Sequence, residues 1–138
     1  VVLPMDVHTI CFLAAHGDYD GVYNENDDDI VSIHTTNYNF NGKVFYSIAC
    51  SCAKNLLPEL KRIGLSTFIG YDEEFIAIES DPLFLESAME GLRSLLSGDD
   101  KNIAKQKMLD KFDECILQAT SPWSRMYLTH NKAHLCFE

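Results

Sequence analysis

The chain is short of positive charge and has no long apolar run. Its 138 residues hold 11 Lys and Arg against 21 Asp and Glu, a net charge of −10, and the isoelectric point is near 4.8. Nucleic acid is therefore not an expected partner, because phosphate binding needs clustered cations, and a basic peptide or protein is favoured instead. No apolar stretch approaches the roughly 20 residues needed to span a bilayer. Val1 does not open a signal peptide, so no membrane role is expected. No Pro-, Gly- or Ser-rich linker, repeat or low-complexity segment divides the sequence. The five cysteines are odd in number and scattered over strand-like and helix-like segments, which points to a reducing, cytoplasmic setting rather than a disulfide framework.

What is present suffices for one compact domain over residues 1–138, since hydrophobic residues make up 46% of the chain. The run "HTICFLAA", His8 to Ala15, suits a strand buried on both faces, ended by His16-Gly17-Asp18. Gly21 to His34 reads as a hairpin around the acidic turn Asn24 to Asp29. That turn is a solvated tip rather than a calcium loop, since it lacks the loop's glycine and terminal glutamate. After a turn at Asn41-Gly42, Val44 to Ala49 forms a second buried strand.

A helix is predicted over Leu56 to Ile63, with Asn55 as its cap, Pro58 in its first turn and Gly64 beyond its end. Ser66 to Gly70 is a third strand. Asp81-Pro82 opens an amphipathic helix that turns Leu85, Ala88, Met89, Leu92 and Leu96 inward and ends at Gly98. A further helix turns Ile103, Met108, Phe112, Cys115, Ile116 and Ala119 inward, and "AHLCFE" is a last strand holding Cys136. Strands alternating with helices predict an α/β fold with a mostly parallel sheet, whose chemistry gathers at the carboxyl ends of the strands.

His16 follows the first buried strand and Cys50 the second, so both stand at one edge of the sheet. Neighbouring strands lie roughly 5 Å apart, which would bring an imidazole base within reach of the thiol. Gly17 beside the base lets a substrate approach closely, and its N–H can join that of Cys50 in an oxyanion hole. The same residues also read as a packed cysteine and a satisfied histidine. A metal site from Cys50, Cys52 and His16 ranks lowest, because the cysteine spacing is shorter than in zinc sites. His8, His34 and the pair His130 and His134, read as lying in a loop, offer less.

In order, "CFLAAHGD", a hairpin, "KVFYSIAC", a helix and "STFIGYDEEF" resemble the caspase-like cysteine peptidases, most closely the bacterial CHAT-type members, over about Ile10 to Phe75. The resemblance implies a three-layer sandwich with a mostly parallel sheet flanked by helices, a protein or peptide substrate, no cofactor and no metal. Carried over, it makes His16 the general base and Cys50, which follows "IA", the nucleophile of an endopeptidase working through an acyl-thioester. The backbones of Gly17 and Cys50 become the oxyanion hole, and Cys52 is structural. Positions near the dyad set specificity in this clan. Asp18 and Asp72, with Glu73 and Glu74, lie at that edge and would favour cleavage after Lys or Arg.

Cys50 lies 34 residues after His16, against about 50 in the caspase pattern, and Val1 stands just ahead of the His strand. The expectation is the C-terminal portion of a longer polypeptide, or a reduced relative acting as a catalytically inactive interaction or signalling domain.

Overall fold

The computed structural model describes residues 10–26, 28–33 and 39–138. They fall into two compact units, one formed by the chain up to Phe75 with His134–Glu138, the other by Ile76–Ala133.

The first unit contains β1 (Ile10–Ala14), β2 (His16–Asp18), β3 (Gly21–Tyr23), β4 (Asp29–Ser32), β5 (Val44–Ile48), α1 (Leu56–Arg62), β6 (Thr67–Tyr71) and β7 (Leu135–Phe137). Its main sheet has the order β1-β5-β6-β7. β1, β5 and β6 run parallel, with Ala14 opposite Ile48, and β7 is antiparallel to β6. The mixed α/β class and the mostly parallel sheet are thus as the sequence predicts. Alternate residues Leu13, Phe45 and Phe68 pack with Leu56 and Leu60 of α1 in one core that also takes in Ala49 and Cys52. The Phe45 and Phe68 rings stack at 5.3 Å.

Contrary to expectation, His16-Gly17-Asp18 is more than the end of the first strand. The chain bends at Ala15 and continues as β2, which pairs with β3 in a second, three-stranded antiparallel sheet. The predicted hairpin is β3 and β4 with a bulge near Tyr23. His8, Asp27 and His34 lie outside the described residues.

The second unit contains α2 (Leu83–Leu96), α3 (Lys101–Gln118) and α4 (Pro122–Ala133). The predicted inward residues Ala88 and Leu92 of α2, and Met108, Phe112, Cys115 and Ala119 on and just after α3, are buried, and the stripes differ from those predicted only at their edges. Phe84, Ala88 and Leu92 are buried on α2 while Leu85 and Leu96 are exposed, and α3 buries Ala104, Met108, Phe112 and Cys115 while Ile103 is exposed. The buried stripes mix small residues, Ser87, Ala88, Gly91 and Ala104, with the large Phe84, Met108 and Phe112, so burial does not follow hydrophobicity alone. The helix α4 carries His130, and His134 follows its end, where a loop was expected. Its start signal repeats that of α2: Asp81 Oδ1 accepts from the Leu83 N–H at 3.0 Å, and Ser121 Oγ accepts from the Trp123 N–H at 3.2 Å. Trp123 and Met126 are exposed, which blurs the apolar period that would otherwise reveal the helix.

Candidate functional site

β1 and β5 are paired neighbours, so the segments that follow them leave the sheet side by side. Gly17 then meets Cys50 backbone to backbone: a methyl group placed on Gly17 would sit 2.6 Å from the Cys50 carbonyl oxygen, 2.8 Å from Ala49 Cβ and 2.9 Å from the Cys50 nitrogen. Only glycine fits this approach. Cys50 is half-buried and His16 exposed.

A clamp holds the two segments together. The Tyr19 carbonyl accepts the N–H groups of Asn55 at 2.8 Å and Leu56 at 3.2 Å, and so caps α1 from the loop that follows β2. Asn55 begins the helix, as predicted, but makes no side-chain cap. Its side chain instead donates to Asp20 Oδ1 at 2.7 Å. Lys54 lies 5.7 Å from the centre of the Tyr19 ring and 3.5 Å from the Glu73 carboxylate. On the other side, the turn after Cys50 is tied to β6 and its exit, Ser51 N–H to the Glu73 carbonyl at 3.0 Å and Ala53 N–H to the Tyr71 carbonyl at 3.0 Å.

The side chains of His16 and Cys50 are not hydrogen-bonded to each other. The Cys50 thiol is directed at the Phe75 carbonyl, 3.9 Å away. Alternation along β2 puts His16 and Asp18 on the face opposite the one on which Gly17 meets Cys50. His16 lines an open depression of about 550 Å³ with Ala14, Ala15, Tyr23, Glu25 and Ile30. Gly17 and Ser51 line a second one of about 330 Å³ with Asp18, Tyr19, Asp20 and Asn55.

The two acidic candidates part company. Asp18 borders the smaller depression, where its Oδ1 accepts the Asp20 N–H at 2.8 Å. Asp72 does not line it, and its carboxylate is paired with His134 Nδ1 at 2.8 Å, a contact spanning 62 residues. Residue spacing gives no sign of such a pair.

Cys52 is fully buried, and burial pushes its thiol up to about 11 from 9.0. Cys136 is likewise pushed up to about 11, first by burial and then by the Asp72 charge. Both are therefore poor nucleophiles near neutrality. Among the described residues no group of three His, Cys, Asp or Glu is placed to hold a metal ion, and no helix is long and apolar enough to cross a membrane. Comparison with protein-family models, curated proteins and solved structures returned no match.

Proposed function

We propose that the chain is a caspase-like cysteine peptidase domain, with Cys50 as nucleophile, His16 as general base and the N–H groups of Gly17 and Cys50 as oxyanion hole. The observation that carries this reading is the parallel pairing of β1 with β5, which sets Gly17 against the Cys50 backbone at the carboxyl edge of the sheet. The three-layer arrangement, a single domain over residues 1–138 and a cytoplasmic setting belong to the same proposal.

In the reaction His16, swung from the opposite face of β2 toward the thiol, takes the Cys50 proton and the thiolate attacks the scissile carbonyl carbon. The oxyanion is held by backbone N–H groups, and collapse breaks the C–N bond while His16 returns its proton to the leaving amine. Water, deprotonated by His16, then hydrolyses the thioester, releasing the acid and restoring the thiol. Asp18 and Asp20, at the smaller depression, would favour Lys or Arg before the cut. Asp72 contributes less, since His134 already partners it.

A peptidyl chloromethyl ketone ending in Arg should alkylate Cys50 ahead of the other four cysteines, and His16→Ala should suppress the labelling. Equal labelling of Cys50 in both proteins would sink the dyad. A second reading, a catalytically inactive interaction domain, is favoured by the thiol's contact with the Phe75 carbonyl in place of the imidazole. It requires binding of a basic peptide without cleavage and without His16-dependent labelling.

A further inference from the structure

Ser51 is the one non-glycine residue with a positive φ, 59°, among the described residues, and it directly follows Cys50. A left-handed backbone is unfavourable for a residue with a Cβ and persists only where the surroundings hold it. Here both ends are held: the Ser51 N–H donates to the Glu73 carbonyl at 3.0 Å, and the Ser51 carbonyl accepts the Lys54 N–H at 3.2 Å. The reversal is therefore fastened to the exit of β6, while Cys50 itself abuts Gly17.

We propose that Ser51 is a positioning residue for Cys50: its left-handed turn reverses the chain immediately after the thiol and keeps the Cys50 backbone at the tip of β5, against Gly17. The inference rests on the peptidase reading of Cys50. An extended residue 51 would carry the chain onward from the strand, losing the bond to Glu73 and withdrawing the Cys50 backbone from Gly17. Strain of this kind beside a reactive group is a recurrent device for fixing it before substrate arrives.

The test is the rate at which iodoacetamide alkylates Cys50 in the full chain, followed by peptide mass spectrometry from about pH 6 to about pH 10. The limiting rate at high pH reports how the thiol is presented. Ser51→Gly, which tolerates the left-handed region, should stay within about twofold of the parent limiting rate. Ser51→Val, branched at Cβ and poorly suited to it, should lose about tenfold. A folded Ser51→Val at the parent rate overturns the proposal, and so does an equal loss in Ser51→Gly, because the backbone conformation would then not be the cause. If Ser51→Val does not fold, Ser51→Ala replaces it, with a loss of about threefold expected and an unchanged rate again overturning the idea. His16→Ala separates the two claims: it should slow alkylation at neutral pH and spare the limiting rate. If the neutral rate is unaffected, the peptidase reading fails while the role of Ser51 is still decided by its own variants.

Discussion

Gly17 and Cys50 are in backbone contact, so close that a methyl group on Gly17 would lie 2.6 Å from the Cys50 carbonyl oxygen. Neither partner of that contact is the far end of a flexible side chain, so an added carbon must displace the main chain. Gly17→Ala is expected to destabilise the first unit by about 2 kcal/mol, in the range of overpacked sites, and to slow alkylation of Cys50. Urea denaturation with an unchanged midpoint would contradict the contact.

The cysteines should separate cleanly by reactivity. Burial holds the Cys52 and Cys115 thiols up at about 11 from 9.0, and both are fully buried. In the native protein near pH 8 they should resist alkylation that modifies Cys50, and react only when urea opens the fold. Labelling of Cys52 ahead of Cys50 would reverse the assignment.

The same shifts set the alkaline limit of stability. The folded-state values of Cys52, Cys115 and Cys136, each about 11, lie above the ordinary 9.0. Below about pH 9 the folded and unfolded thiols are both protonated and the contribution is complete. As pH rises toward 11 the unfolded chain loses its protons first, so stability falls through that window, and Tyr71, raised by burial, adds in the same sense. A denaturation free energy that is flat from about pH 8 to about pH 11 would refute this.

Asn131 is fully buried and satisfies both backbone groups of Ile76, accepting its N–H at 2.9 Å and donating to its carbonyl at 2.7 Å. Asn131→Ala leaves both unpaired and is expected to cost about 2 kcal/mol. Asn131→Asp, which keeps an acceptor, loses the donor and buries a charge, should cost more at neutral pH than at about pH 3. Thermal unfolding of the two variants at both pH values is the measurement, and equal cost at both sinks the argument.

His134 and Asp72 join the start of the last strand to the exit of β6 at 2.8 Å, with 36% and 39% of their side chains exposed. Solvent screening limits such a pair to about 0.5 kcal/mol. A double-mutant cycle on His134→Ala and Asp72→Asn should return a coupling of that size. Coupling near zero would reduce the contact to a surface coincidence.

Much of the main sheet is legible in the sequence, because fully buried parallel strands leave short continuous apolar runs such as "CFLA" and "VFYSI". α4 is not, since its exposed Trp123 and Met126 break the apolar period and only Ser121-Pro122 marks its start. The turning of His-Gly-Asp into β2 is equally hidden, because its partner β3 supplies the hydrogen bonds and three residues carry no period of their own.

At the candidate site the sequence by itself determined which residues stand at one edge, His16 and Gly17 after one apolar run and Cys50 after the next, because strand polarity follows chain order in a parallel sheet. Only the tertiary structure decided what those residues touch. The pairing of Gly17 with Cys50, the left-handed turn at Ser51, the thiol's direction toward Phe75 and the capture of Asp72 by His134 are set by atoms from separate segments converging in space. No local propensity encodes such a convergence, which depends on the packing of the whole unit.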